Sequence, residues 1–535
     1  MRAESVPGAQ IVDSRQWGVD AFAACGATLV AILCLFYPLL QNPIPPLLDY
    51  AGHISRIEVL HELLHGTGFS GMYRLDLGVV PNLGVDAICL PLVELGLAAE
   101  AAGRVLLFLT FAALAGGIVA LHYANFRRFS VWPVLAMPFI VQVGTKWGFL
   151  AYLLTLGLGF CLAAFWRLTV ERGLARAGVG LFLGSILLFF FHVGAFLLVA
   201  CMIVAMEASD LAWQIHLDRR AGACVWHFRR LVICVVASAL PLLLLTFAPM
   251  IEHHSGPPLA TFLQRLSWVG FRGRAESLFS FAWAYDHRLD LLSLAAVLGL
   301  AFVGVATRRL RIKRAMVLPA AGLCLIYLFV PDGWYGTAAL PDRLPLVLFM
   351  MGVAGTDLRL EAAWSRTGLA SFVAVLALLR GMATETAWAN ADSKLMPLLA
   401  TLNSLPEGSR IYSAFAYKGD FISDPGIIYY GMPAYMAMHR HGYYPHVFAI
   451  PGQNIVVATG IYSTAPTLPH NYRVDKPSPI TADNDPYSAA RLAFYDYALV
   501  IRPDGYPVRP PAFLKLISGN EEYALYKINK ARNSR

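Results

Sequence analysis

Charge is scarce in this chain. Asp, Glu, Lys and Arg make up only 14% of its 535 residues, against about 25% in an ordinary soluble domain. With 57% hydrophobic residues and a mean hydropathy of +0.57, that scarcity excludes a water-soluble globule and points to an integral membrane protein. Cysteine is thin as well. The eight cysteines, from Cys25 to Cys324, lie nearly all in apolar runs with no C-x-x-C pair, which excludes a disulfide framework and a thiolate metal site and leaves small packing residues. Self-similarity is missing too, so a repeat architecture is excluded. The formal charge of +8 does not indicate nucleic acid, because the basic residues fall in short clusters between apolar runs, as the positive-inside rule expects.

What the chain does have is long apolar runs. A membrane span needs about 20 apolar residues, fewer inside a bundle. Runs at 19–40, 104–122, 130–143, 148–166, 178–191, 193–207, 230–250, 289–306, 315–331, 344–357 and 368–388 predict about eleven transmembrane helices. The first is too long for a signal-peptide core and lacks a small-residue cleavage site, so it reads as an uncleaved anchor. The stretch 178–207 reads as a hairpin turning near His192, because Arg167, Arg172 and Arg176 precede it and Arg219, Arg220, Arg229 and Arg230 follow it. Together with Arg2, Arg15, Arg127, Arg128 and the cluster Arg308 to Arg314, these residues define a cytoplasmic side and a cytoplasmic N-terminus in a bacterial inner membrane. The segments 41–103, 144–147, 251–288, 332–343 and everything after about 389 then face outward. From about 390 the apolar runs shorten to strand length between Pro, Gly, Asn and Asp, as in Arg410-Ile411-Tyr412 and Tyr497 to Ile501. The predicted fold is an α-helical multi-pass membrane domain, 1–389, carrying a small extracytoplasmic α/β domain, 390–535.

Chemistry concentrates in DYAGHISRIEVLHELLH, residues 49 to 65, just after the break Pro43-Ile44-Pro45-Pro46. Helical spacing puts Asp49, His53 and Arg56 within about 60 degrees of one another, with His61, Glu62 and His65 roughly opposite. His61-Glu62-Leu63-Leu64-His65 is an H-E-x-x-H, which on a helix can hold zinc beside a general base. A catalytic zinc needs three protein ligands, and Gly71 stands where the extended pattern has its third histidine. The alternative is the polar face of an interfacial helix. Asp49, by contrast, sits at the outer end of the first span, where water, headgroups and a lipid-linked substrate meet. A carboxylate there can take the proton from an acceptor hydroxyl as an anomeric carbon is attacked, with His53 and Arg56 orienting it or balancing its charge. The plainer reading of these three is an interfacial salt-bridged cap. Asp86 and Glu94, which interrupt the apolar stretch 83–98, are alternative bases; the position of Asp49 directly after the first span favours it.

A long outward loop opening on an acid, many spans and an outward C-terminal domain together resemble the GT-C superfamily of integral-membrane glycosyltransferases. More narrowly, Asp49-Tyr50-Ala51-Gly52-His53-Ile54-Ser55-Arg56 is similar to a D-Y-P-N-H-L-A-R run in uncharacterised bacterial membrane proteins of GT-C type, with Ala51-Gly52 in place of Pro-Asn. The pieces Pro81 to Asp86, Trp147 to Leu150, His192, and Pro341 to Leu344 also look like that group. The resemblance implies a polyprenyl-phosphate-sugar donor used on the outer face in an inverting transfer to an envelope glycan, lipid or protein. Cations must then hold the donor phosphate: Arg343, where an outward loop re-enters the membrane, and Lys146, in a tight turn, come first, with His192 and the pair Arg272 and Arg274 behind them. No motif requires a cofactor; a divalent metal would draw on His61, Glu62 and His65. Membrane lipid is the expected partner and nucleic acid is not. The rival functions are a membrane zinc peptidase built on the H-E-x-x-H, a transporter or assembly protein of a polysaccharide pathway, and a transferase fold that only binds lipid.

Overall fold

The structure is a computed structural model that describes residues 14–217, 221–247, 277–330, 333–334, 337–467, 471–481 and 483–530. Arg272, Arg274 and most of the predicted outward segment 251–288 lie outside these residues.

Helices dominate the first three quarters of the chain. In order they are α1 (Ser14–Gln41), α2 (Tyr50–His65), α3 (Gly84–Glu94), α4 (Ala99–Phe126), α5 (Val143–Trp147), α6 (Leu150–Thr169), α7 (Leu174–Phe191), α8 (Val193–Leu217) and α9 (Ala221–Ala239). Then come His287–Ala306, Val317–Phe329, Leu340–Ala354 and the 41-residue helix Ala363–Asn403. Among the described residues, eight helices are long and apolar enough to cross a membrane, and Arg314–Phe329 is a shorter apolar one. The chain is therefore an α-helical multi-pass membrane protein. Of the eleven predicted spans, 315–331 falls in that shorter helix and 344–357 in the 15-residue Leu340–Ala354, neither of spanning length, and one more run is not an α-helix at all. Residues 130–143 form a 3-10 turn at Trp132–Phe139 instead, with Pro133 in its first turn and Pro138 within it; each proline lacks the N–H a continuing helix would use. Eight residues at about 2 Å each reach only about 16 Å.

Small residues let the bundle close. Without a hydrophobic drive inside lipid, helices associate through close backbone packing. At the α4–α6 crossing a Cβ on Gly117 would stand 2.4 Å from the Gly157 carbonyl oxygen, and one on Gly157 would stand 2.4 Å from the carbonyl carbon of Ala113. Within the bundle, Arg380 is bonded to Asp290 at 2.8 Å and donates to the carbonyls of Pro138, Val141 and Ala282. This fixes the long helix to the 3-10 turn. One end of the bundle gathers the arginine clusters: Arg128 pairs with Asp357, Arg167 with Asp210, and Arg230 with Glu207 and Glu171. Their collection at one end agrees with the alternation of sides read from the sequence.

The opposite end carries the C-terminal domain. The short strands outside its sheet are β1 (Tyr73–Leu75), β2 (Leu310–Ile312), β3 (Gly333–Trp334), β4 (Thr337–Ala338), β5 (Thr356–Leu358) and β7 (Val456–Ala458). The sheet strands are β6 (Ile411–Tyr417), β8 (Tyr472–Arg473), β9 (Tyr497–Ile501), β10 (Leu514–Gly519) and β11 (Tyr523–Ile528), in the order β10-β11-β9-β6-β8. The central pair β6–β9 is parallel, Ile411 opposite Tyr497, and both strands are almost wholly buried, as a two-sided central pair requires. Strand β1 belongs to the loop after the first span, yet it pairs antiparallel with β7 of the domain, Arg74 opposite Val457. Ile44, Val59, Leu60, Phe69 and Tyr73 of that loop share one buried cluster with Leu398, Phe415, Leu499 and Val500. The loop and the domain thus form a single packed body.

Replacing Gly157 with Ala puts a methyl into the Ala113 backbone. We expect a loss of about 1–3 kcal/mol, read as a lowered midpoint in thermal unfolding of the detergent-solubilised protein, with Gly116→Ala, which meets open space, as the silent control.

Candidate active site at the domain end of the bundle

Asp49 caps the N-terminus of α2 without using its side chain for the cap. Its backbone N–H donates to the Trp147 carbonyl at 3.1 Å, and that of Leu48 to Lys146 at 2.9 Å, so α5 serves as a seat for it. Gly148 has to be glycine here. Its φ is +79°, and a Cβ would meet the Asp49 nitrogen at 3.0 Å. Across from Asp49 lies Arg343, whose guanidinium rests 3.6 Å from the Phe149 ring centroid and whose carbonyl accepts the Tyr152 hydroxyl at 3.0 Å. Arg343 is one of the charges that act on the Asp49 carboxyl. Burial pushes that carboxyl up to about 7, against the pull of Arg343. Both side chains keep part of their surface open.

His192 completes this side. It breaks α7 from α8 in an extended conformation, and the loop Pro81 to Leu83 takes up backbone groups around the break: Leu83 N–H donates to Phe190, and Val193 N–H donates to Pro81. Non-helical backbone at such depth persists only where other protein groups satisfy it. The Ala195 N–H donates to His192 Nδ1 at 3.2 Å, so Nδ1 carries the lone pair and Nε2 carries the proton. An N–H donor is thereby presented beside Tyr152, whose ring meets the imidazole edge-on at 5.5 Å.

Arg56 turns inward. It is fully buried and grips Asp86 of α3 through Nε and Nη2 at 3.1 to 3.2 Å. Its Nη1 is 3.4 Å from His53 Nδ1. His53 in turn stacks on Phe448 of the domain at 4.4 Å, and burial, followed by the charges of Arg56 and His192, holds its imidazole well below the usual range and therefore neutral. The three residues that share a helical face in the sequence thus occupy three depths: Asp49 at the rim, His53 under the domain, and Arg56 in the core. Asp86 is engaged by Arg56. Glu94 lies at the far end of α3, with His61 and His65. Glu62 is bonded to His441 at 2.8 Å. Lys146 is close along the backbone, but its ammonium points to the Ala284 carbonyl at 3.3 Å and the Tyr285 ring, and burial lowers its pKa.

The domain closes the other side with residues that sequence reasoning missed. Tyr430 lies near enough to Asp49 to feel its charge, Gly431 packs on the Leu48 carbonyl, and a Cβ on Gly52 would stand 2.5 Å from the His446 carbonyl oxygen. Burial lowers His446 to about 4, so it is neutral. These residues lie nearly 400 positions from Asp49, in a loop-rich stretch without a motif. The glycine at 52 was the one local signal, since a small residue on the α2 face marks a close approach.

No family model matches the sequence, and no curated protein matches it. Among solved structures the chain is similar to the crystal structure of ArnT from Cupriavidus metallidurans bound to undecaprenyl phosphate, at 13% identity and a TM-score of 0.49, over 97% of this chain and 99% of that one. It is also similar to ArnT from the same organism in the apo state, at 13% identity and a TM-score of 0.45, over 96% and 98% of the two chains.

Two outcomes follow from the geometry. Asp86→Asn leaves Arg56 buried without its counter-charge, at an expected cost of about 3–5 kcal/mol in unfolding. For Asp49, the folded pKa near 7 exceeds the ordinary 3.8. The folded state therefore holds a proton the unfolded chain has released, and stability falls as pH rises across that window. Thermal unfolding should then find Asp49→Asn more stable than wild type above pH 7, with the difference shrinking toward pH 4.

Proposed function

We propose that this protein is a GT-C-type membrane glycosyltransferase that moves a sugar from a polyprenyl-phosphate carrier to an envelope acceptor, with Asp49 as the base. The observation that carries the reading is the juxtaposition of Asp49 and Arg343 at the domain end of the bundle. A partly open carboxyl poised near neutrality lies within the field of a guanidinium that rests on the Phe149 ring, on a backbone whose carbonyl accepts the Tyr152 hydroxyl. A general base works best when its pKa lies near the working pH. Arginine's planar fork suits phosphate oxygens, and the Nε2–H of neutral His192 supplies a further donor to the same side.

In the proposed step the acceptor hydroxyl oxygen attacks the anomeric carbon and its proton passes to Asp49. The bond from that carbon to the phosphate oxygen breaks, and the polyprenyl phosphate leaves with the electron pair, its charge met by Arg343 and His192. Attack from the face opposite the phosphate inverts the anomeric centre. His53, held neutral between Arg56 and Phe448, keeps the start of α2 in register without entering the chemistry. The arginine clusters at the far end of the bundle favour the outer face as the place of transfer. Lys146, Arg272 and Arg274 remain proposed as auxiliary cations for the donor.

The test is to supply radiolabelled polyprenyl-phosphate sugars and membrane extract to the purified protein. Wild type should transfer label with a rate that rises with pH about an apparent pKa of about 7. Asp49→Asn should lose about 100-fold or more of it. Arg343→Ala should raise the donor KM by about 10- to 100-fold, as the loss of a charge-assisted contact predicts. Transfer that survives Asp49→Asn unchanged removes the base assignment, and no transfer with any donor removes the reading.

A further inference from the structure

The H-E-x-x-H of α2 lacks a third histidine in sequence, but the fold brings a different residue to it. His61 and His65 lie one turn apart with their rings 4.5 Å from centroid to centroid. Glu94, the last residue of α3, faces both, with Oε1 2.9 Å from His61 Nδ1 and Oε2 3.6 Å from His65 Nε2. The three ligand atoms lie within 4.8 Å of one another. In tetrahedral zinc sites with bonds of about 2.0–2.1 Å the donor atoms sit about 3.3 Å apart, so a modest closure of these partly exposed side chains would bring one carboxylate oxygen and the two imidazole nitrogens to that spacing.

Protonation points the same way. His65 Nδ1 is 2.9 Å from the His61 carbonyl oxygen. A carbonyl only accepts, so Nδ1 carries the proton and Nε2, the atom facing Glu94, has its lone pair free. A backbone carbonyl that fixes the tautomer of a ligating imidazole is the usual outer-shell partner of a metal-bound histidine. The proton between His61 and Glu94 is the one an incoming cation would displace. All three side chains are partly open to solvent, which leaves room for water in a fourth position. Glu62 is turned away, bonded to His441, and so is not placed over the triad as the base of a peptidase.

We propose that His61, His65 and Glu94 form a structural site for a divalent transition metal of the zinc class, which ties the C-terminal end of α2 to the C-terminal end of α3. Two imidazoles and one carboxylate suit zinc, cobalt or nickel better than magnesium or calcium, which prefer all-oxygen shells. The Arg56–Asp86 pair joins the same two helices earlier along α2, so the metal is a second clamp about two turns further on. It lies about 18–24 Å along α2 from Asp49 and takes no part in transfer.

The experiment uses the full-length protein in detergent, stripped with a chelator, loaded with zinc chloride, desalted and measured by mass spectrometry for metal per chain. Wild type should retain one zinc, and its thermal midpoint should rise with zinc but not with magnesium. Outer-shell changes alone cost 10- to 100-fold in metal affinity, so His65→Ala and Glu94→Ala should each weaken binding by at least about 100-fold. Because both residues are partly exposed, these variants should keep the metal-free midpoint of wild type, which separates loss of a ligand from loss of fold. Glu62→Gln should retain the zinc. Cobalt in place of zinc should give visible absorption of tetrahedral intensity in wild type and lose it in Glu94→Ala. Wild type that holds no zinc above the buffer blank overturns the site, as does Glu94→Ala that holds a full equivalent. Loss of zinc from Glu62→Gln with retention in Glu94→Ala overturns the ligand assignment in favour of the sequence motif.

Discussion

The ion pair between Arg56 and Asp86 is the constraint on which the candidate site depends. Both groups lie in the interior, where an isolated charge costs several kcal/mol. Each is tolerable only because the other is in bidentate reach. That requirement fixes the rotation of α2 against α3, because a turn of either helix would strand a charge. With α2 fixed, His53 falls beneath Phe448, and Asp49 falls on its seat against Trp147 and Gly148. Removing the pair outright, by apolar residues of matching volume, would be milder than removing one member. The chain spends its interior charges here to set an angle, and a greasy contact would set it less sharply.

The site is built from four short pieces of chain, each of which does a different mechanical job. The start of α2 supplies the carboxyl. The Trp147 to Leu150 piece supplies its seat and the ring beneath Arg343. The Pro81 to Asp86 piece fills the gap at His192, where α7 gives way to α8, and then delivers Asp86 to Arg56. The Pro341 to Leu344 piece brings the guanidinium. Separations of 30 to nearly 300 residues in sequence collapse onto one end of the bundle, and the C-terminal domain covers it through Tyr430, His446 and Phe448.

Much of this was legible in the sequence because membranes impose simple rules. Apolar run length gave most spans, and the arginine clusters gave the turn at His192, where the structure parts α7 from α8. The run 130–143 misled because hydropathy does not register that Pro133 and Pro138, five residues apart, each remove an N–H and leave too few residues between them for a stable α-helical stretch. Spacing on α2 placed Asp49, His53 and Arg56 on one face, but a face has no depth in sequence. That Arg56 points to a partner 30 residues on, and that Glu62 yields its place beside the histidines to Glu94, are facts of tertiary packing between helices. The pairing of β1 with β7 was equally hidden, since three residues carry too little pattern to announce a strand.

The 41-residue helix Ala363–Asn403 spans about 60 Å, about twice the hydrocarbon thickness of a bilayer. Its first half packs along α1, with Gly381 against Cys34, and Arg380 anchors it within the bundle. Its last turns place Leu395, Leu398 and Leu402 in the core shared by the domain and the loop after α1. Between them, Asp392 receives the Ile44 N–H and Glu385 receives Asn42. Such a continuous rod acts as a mast: it couples height to heading, because each added residue lifts the domain by about 1.5 Å and swings it by about 100 degrees. The height and heading at which the domain meets Asp49 therefore depend on the number of residues in one helix, with the contacts of Gly431 and Gly52 closing the remaining distance.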